Sequence, residues 1–176
     1  DMEMEASHEI NPQQSKQLAK THVINKTFRR QLKQVYDAYL PMKDALVNSD
    51  VEAVQKRAGE VKKSLQSVNM GLLEGEAHMD WMEQLEVLNK QLDKIGESNR
   101  LETQREAFIG FNDAFYKSLK QFGLSDGEVY YQYCPMAKDN RGAYWLSSDK
   151  EIRNPYFGEA MLSCGETRET MEFGGE

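Results

Sequence analysis

Two cysteines and two methionines near the C-terminus are the residues of this chain whose types best suit chemistry. Cys134 and Met136 lie in the segment YYQYCPMA, and Met161 and Cys164 lie in the later segment MLSCGE. Thiolate and thioether sulfur atoms are soft ligands that suit Cu(I). The four residues therefore predict a soft-metal site, provided that the fold brings the two segments together.

Two other interpretations of these residues stay open at this stage. Cys134 and Cys164 are the only cysteines, and in an oxidising compartment they could form a disulfide. They could also be separate buried thiols, with the methionines filling gaps in the core. A disulfide needs Cα atoms about 4.4–6.8 Å apart, and a shared metal tolerates only slightly more. Because each cysteine adjoins a proline or glycine where the backbone turns, we predict that the two lie close together.

His78 is a further candidate ligand, within a predicted helix. Met82 follows it by four residues, so the two side chains share one face of that helix. The alternative is a hydrogen-bonded histidine at the end of the helix's apolar face. Met2, Met4 and His8 near the N-terminus resemble the loose handles of periplasmic copper carriers, but nine methionines make such a coincidence easy.

Four stretches carry apolar residues at spacings of three and four, which is typical of amphipathic helices. They are residues 28–46, 51–68, 81–95 and 101–122. The short loops between them predict an antiparallel up-down bundle. Pro41 falls inside the first stretch and predicts a kink or a break near residues 38–40.

The apolar period changes to two after Gly127, which predicts strands. The segments around residues 129–134 and 143–148 form a predicted hairpin, with AKDNRG as its turn, and the charged segment from Thr167 is expected to fray. The predicted fold is mainly α: a four-helix up-down antiparallel bundle with a small C-terminal β-hairpin docked on it. Residues 25–176 form the single domain, its Cys- and Met-containing β element covers about 128–166, and residues 1–24 are an acidic, flexible lead-in.

The segments YYQYCPMA, GAYWLSSDKEIRNPYFG and MLSCGE, preceded by AHMDWMEQL, resemble an uncharacterised bacterial domain family found mainly in Bacteroidetes. Its members are free-standing periplasmic or lipoprotein domains, or are fused to adaptor (membrane fusion) subunits of heavy-metal efflux systems. The resemblance covers roughly residues 28–166. YCPM is also similar to the Y-x-C-P-M-H signature of small heavy-metal-binding domains in these adaptors. Here the tyrosine directly precedes Cys134, and Ala137 replaces the histidine, which removes one ligand.

This resemblance implies a periplasmic accessory domain that binds or delivers copper, silver or a similar metal. The implied metal is Cu(I) or another soft ion, and the implied partner is an efflux adaptor or another envelope protein. The implied location is the periplasm or an outer-surface lipoprotein of a Gram-negative bacterium, after removal of a signal peptide. The candidate ligands are Cys134, Met136, Met161 and Cys164, with His78 and Met82 as additions.

The alternative function is a protein-interaction module of the bacterial envelope with no metal role. In that case a disulfide would clamp the predicted hairpin, which would present its tyrosines and Trp145 to a partner. The sequence supports this alternative through the density of aromatic residues in YYQYCPMA and GAYWLSS.

Charge and motif content exclude several other classes of function. The formal net charge of -7 offers no basic stripe for nucleic acid, and no apolar run reaches the roughly 20 residues of a membrane span. The chain has no Gly-rich phosphate loop, no H-E-x-x-H and no G-x-S-x-G motif. A catalytic pair of Cys164 and His78 would lack a third orienting group. An enzyme is therefore not expected.

Overall fold

The computed structural model describes residues 24–174, which form four long helices followed by a small antiparallel sheet. The helices are α1 (Lys26–Val47), α2 (Val51–Gln66), α3 (Gly75–Glu97) and α4 (Leu101–Phe122). These bounds confirm the four predicted helices. The predicted lead-in, with Met2, Met4 and His8, lies outside the described residues except for Ile24, which is buried.

Helix α1 shows how local sequence sets the helix ends. The Asn25 side chain accepts hydrogen bonds from the backbone N–H groups of Thr27 (2.7 Å) and Phe28 (3.3 Å), which begins the helix. The helix then continues through Pro41, so of the two predicted outcomes, a kink or a break, the break does not occur. Proline removes the N–H that would bond the carbonyl of Asp37, but Asp37 is exposed and water can replace that partner.

Contacts between the helices show that the bundle is antiparallel. Phe28 near the start of α1 lies 5.3 Å from Phe122 at the end of α4, as measured between ring centroids. In the middle of α1, Tyr39 lies 5.9 Å from Phe111. None of the helices within residues 24–174 combines the length and apolar content that crossing a membrane requires. The largest fully buried side chains of the bundle are mainly aromatic: Trp81, Tyr39, Phe28, Phe108, Phe111, Phe115 and Phe122.

The sheet has three strands, one more than the predicted hairpin. They are β1 (Gly127–Cys134), β2 (Ala143–Ser147) and β3 (Glu166–Phe173), in the order β2-β1-β3 with both pairings antiparallel. A one-turn segment, α5 (Ala137–Asn140), connects β1 to β2. The expectation that the chain frays from Thr167 is wrong. Strand β3 pairs through its backbone at the edge of the sheet, so its exposed charged side chains do not prevent it from forming.

Buried hydrogen bonds attach the sheet to the bundle. The Tyr39 hydroxyl donates to Oδ1 of Asn112 (2.5 Å) and accepts the backbone N–H of Leu146 on β2 (3.0 Å). Nδ2 of Asn112 donates to the Tyr156 hydroxyl (3.1 Å), which donates to the backbone carbonyl of Tyr144 (2.5 Å). Two backbone groups of the edge strand β2 are therefore satisfied by tyrosine side chains. We call Tyr39, Asn112 and Tyr156 the docking network.

The substitution Tyr39→Phe tests the docking network. It removes the hydroxyl that pairs with Asn112 and Leu146 and leaves both of those groups buried. We expect the free energy of unfolding, measured by urea denaturation, to fall by about 1–3 kcal/mol.

Tyr36→Phe is the matched control. The Tyr36 hydroxyl is also buried, but it has no hydrogen-bond partner among residues 24–174. Because no hydrogen bond is lost, we expect the control to change the free energy of unfolding by less than about 1 kcal/mol. Equal losses in the two variants would contradict the role of the network.

Candidate functional site

The two cysteines lie together, as predicted. The Sγ atoms of Cys134 and Cys164 are 3.6 Å apart, and both residues are free cysteines. A disulfide bond is about 2.05 Å long, so the two sulfur atoms are in contact without being bonded. Cys134 is fully buried, whereas Cys164 is partly exposed.

Cys134 owes its position to strand β1. Side chains alternate along a strand, so Gln132 and Cys134 share one face and Tyr131 and Tyr133 the other. Both residues of the first face are fully buried, and both tyrosines are partly exposed. Cys134 is the last residue of β1, as expected from Pro135. The strand therefore presents this thiol at the end of the sheet.

Cys164 is positioned by Asn154, a residue that the sequence analysis did not single out. The fully buried Asn154 donates from Nδ2 to the backbone carbonyl of Cys164 (2.9 Å) and from its backbone N–H to the carbonyl of Leu162 (2.8 Å). Its Oδ1 accepts the N–H of Tyr156 (2.8 Å). One side chain thus joins the cysteine segment to a residue of the docking network. The Asn-Pro step in NPYFG, which is typical of a turn, is the sequence feature that could have pointed to Asn154.

Arg105 on α4 attaches the segment between β2 and β3, which contains Asn154, to the helical bundle. Its Nε donates to the carbonyl of Pro155 (2.8 Å), and its Nη2 donates to the carbonyl of Leu46 (2.9 Å) and to Oγ of Ser49 (3.0 Å). Burial lowers the pKa of Arg105 from its ordinary value. The guanidinium therefore bonds the end of α1 and the residue after Asn154 at once. A lone arginine in an amphipathic helix gave no sequence signal for this role.

Gly165 permits the close approach of the cysteine segment to β1. Its φ is 142°, a conformation that favours glycine. A Cβ at this position would lie 2.8 Å from the carbonyl oxygen of Tyr133 and 3.0 Å from Cη2 of Trp145. Any larger residue next to Cys164 would therefore push this segment away from the strand that carries Cys134.

The two candidate methionines adjoin the cysteines. Met136 follows Cys134 by two residues and is 47% exposed. Met161 ends a 3-10 turn (Gly158–Met161) and is partly exposed, and its carbonyl accepts the N–H of Cys164 (3.1 Å). Residues three apart face opposite ways in a straight strand, but the chain turns here, so Met161 and Cys164 can lie on the same side. Both thioethers belong to the segments that the fold brings together.

His78 and Met82 lie elsewhere, in the first turns of α3. Nearby, Gln84 hydrogen-bonds Gln121 close to the end of α4 (2.9 Å). Cys164 instead bonds Asn154, and the next residue, Pro155, accepts a hydrogen bond from Arg105 near the start of α4. Because a 22-residue helix is about 33 Å long, the structure does not bring His78 or Met82 to the cysteines. It likewise separates Cys164 from His78, the catalytic pair considered above.

Residues 35–127 match a family model described as "Protein of unknown function (DUF3347)", which is just over half of the chain. The chain belongs to this family. Membership of an uncharacterised domain family is thereby confirmed. The match to DUF3347 covers most of the helical bundle and ends at Gly127, where β1 begins, so Cys134 and Cys164 lie outside the matched residues. No curated protein and no solved structure matches the chain.

In this DUF3347 protein the surroundings of Cys164 favour the protonated form of its thiol. The hydrogen bond with Cys134, and then burial and the charge of Cys134, raise the pKa of the Cys164 thiol. Metal binding at Cys164 would have to displace this proton. Within residues 24–174 no group of three or more His, Cys, Asp or Glu side chains could hold a metal ion. A metal at the thiols would therefore have methionine or external ligands besides the two cysteines.

Gly165→Ala tests whether this glycine keeps the cysteine segment in place. The φ of 142° and the contact with Tyr133 both oppose a Cβ, so we expect the free energy of unfolding to fall by about 1–3 kcal/mol in urea denaturation.

Gly59→Ala serves as the control for DUF3347 bundle stability. A Cβ at Gly59 in α2 meets nothing within 4 Å, and alanine favours the helix, so we expect a gain of roughly 0.5–1 kcal/mol. If Gly165→Ala were as stable as the wild type, the close approach would not depend on glycine.

Proposed function

We propose that this protein binds a soft metal ion, Cu(I) or a similar ion, through the thiolates of Cys134 and Cys164. The observation that supports the proposal is the 3.6 Å separation of the two unbonded sulfur atoms. Two thiolates that share a tetrahedral metal at about 2.3 Å each have their sulfur atoms about 3.8 Å apart. The pair therefore needs only a small adjustment to hold a metal.

The chemistry of the neighbouring residues favours a soft ion. Met136 and Met161 place thioethers within three residues of the cysteines, and the described residues offer no histidine or carboxylate cluster at this position. Sulfur-only ligand sets select Cu(I) over harder ions. Cys164 is partly exposed, so an ion can reach the pair from solvent and leave it again. The proposed mechanism is capture and exchange of the ion, with no turnover chemistry.

The proposed setting is heavy-metal handling in a bacterial envelope. It rests on the resemblance of YYQYCPMA, GAYWLSSDKEIRNPYFG and MLSCGE to domains found beside or within efflux adaptors. In that setting the protein acts in the periplasm, or as an outer-surface lipoprotein of a Gram-negative bacterium such as one of the Bacteroidetes. Its partner is an efflux adaptor, to which it delivers the ion.

Reduced protein titrated with Cu(I) in competition with a chelator tests the proposal. We expect one bound ion. Cys134→Ser and Cys164→Ser should each weaken Cu(I) binding by more than roughly 10–100-fold, which is the usual cost of losing a residue that only hydrogen-bonds a metal ligand. His78→Ala is the control and should bind like the wild type, because His78 lies far from the thiols. Unchanged affinity in both serine variants would refute the site.

A second candidate function is an interaction module, favoured by a row of stacked side chains across the sheet. The ring of Tyr131 stacks on Tyr116 from α4 (3.9 Å between centroids) and on Tyr144 (4.4 Å), and both pairs are nearly parallel. Tyr133 continues the row at 4.6 Å from Tyr144, with the guanidinium of Arg168 4.0 Å above its ring. All four tyrosines are partly exposed. Partly exposed tyrosines beside an arginine are typical of protein interfaces.

Counting free thiols in protein isolated without reductant separates the two functions. If Cys134 and Cys164 are disulfide-bonded and the protein takes up no metal after mild reduction, the interaction module is favoured.

Trp145, which the sequence grouped with the tyrosines, is fully buried and cannot contribute to the recognition surface.

A further inference from the structure

We infer that Cys134 and Cys164 form a thiol–disulfide exchange site, in which Cys164 reacts with a low-molecular-weight disulfide such as glutathione disulfide and Cys134 completes the reaction. This inference goes beyond metal binding and holds whether or not the thiols bind a metal. It rests on the unequal exposure of the two thiols, on their separation and on the anchoring of their backbones.

Unequal exposure assigns different roles to the two thiols. Cys134 has no accessible surface, so an external disulfide cannot reach its sulfur atom in the folded protein. Cys164 is partly exposed and lies in the segment before β3. Thiol–disulfide exchange requires direct contact between the attacking sulfur and the disulfide. Cys164 is therefore the attacking thiol, and Cys134 can react only with a sulfur that the protein itself brings to it.

The separation of the sulfur atoms suits the second step. A bond of about 2.05 Å requires an approach of about 1.5 Å from the observed 3.6 Å. Cys134 is fixed by its pairing with Ala143 on β2, whereas Cys164 belongs to an irregular segment anchored through its carbonyl by Asn154. Movement of the Cys164 side chain can therefore supply the approach while the sheet stays intact.

The reaction balances as two exchanges. The Cys164 thiolate attacks one sulfur of glutathione disulfide, which forms a mixed disulfide and releases one glutathione thiolate. Cys134 then loses its proton and attacks the Cys164 sulfur, which forms the Cys134–Cys164 bond and releases the second glutathione. The two cysteines lose two electrons and two protons, and glutathione disulfide gains both. The oxidised pair has no thiolate left to donate to a soft metal.

Intact-mass measurements on metal-free, reduced protein in a glutathione buffer test the site. The wild type should lose two hydrogen atoms and carry no lasting glutathione. Cys134→Ala should accumulate one glutathione, because the mixed disulfide at Cys164 cannot be resolved. Cys164→Ala should react with glutathione disulfide much more slowly than Cys134→Ala while it is folded, and should gain one glutathione readily in urea, where Cys134 becomes accessible.

Other outcomes would overturn the proposal. It fails if folded Cys164→Ala reacts as fast as Cys134→Ala, or if the wild type keeps a stable glutathione adduct. Cys134→Ser is a second variant that cannot resolve the mixed disulfide, and it controls for disturbance of the buried site by alanine. Circular dichroism confirms that each variant is folded. Because no metal is present, failure of exchange is independent of the Cu(I) titration, and failure of metal binding leaves the exchange result unaffected.

Discussion

The docking network of Tyr39, Asn112 and Tyr156 is the constraint on which the rest of the structure depends. The buried side chains of the sheet, among them Val129, Trp145 and Leu146, belong to the same core as those of the helices, so the sheet depends on the bundle. As an edge strand, β2 also has backbone groups without a strand partner, and burying them unpaired would cost as much as a lost hydrogen bond. Two tyrosine hydroxyls satisfy the N–H of Leu146 and the carbonyl of Tyr144. Sliding β2 by one residue would break both bonds, so the network fixes a single register.

That register determines where the thiols lie. Cys134 pairs with Ala143, so the position of β2 on the bundle sets the position of Cys134. Tyr156 belongs to the network and receives its backbone orientation from Asn154, whose amide also bonds the carbonyl of Cys164. The positions of both sulfur atoms therefore depend on the same buried polar groups. Cys134 depends on them through strand β2, and Cys164 depends on them through Asn154. The site is therefore a product of sheet docking.

The sequence could predict the parts of this structure that depend on local pattern. The helices follow from apolar spacing, and the meeting of Cys134 with Cys164 follows from the turns beside them. Strand β3 could not be predicted, because ETRETMEF carries charge on both faces and one buried side chain, Met171. The roles of Asn154 and Arg105 are tertiary, since polar partners far away in the chain leave no periodic signal. The separation of His78 from the thiols likewise depends on which helix ends lie together.

The order of the elements along the chain has a consequence for folding. Helical hairpins form from contacts close in sequence, whereas the bond from Tyr39 to Leu146 joins residues 107 positions apart. We therefore expect the sheet to assemble after the helices and to open before them in a local fluctuation. Such an opening would release Cys134 from burial while the four helices stay folded. The rate at which Cys134 reacts would then depend on how cooperatively the sheet and the helices unfold. Exposure of Cys134 and amide hydrogen exchange in β2 would both follow from the same opening of the sheet.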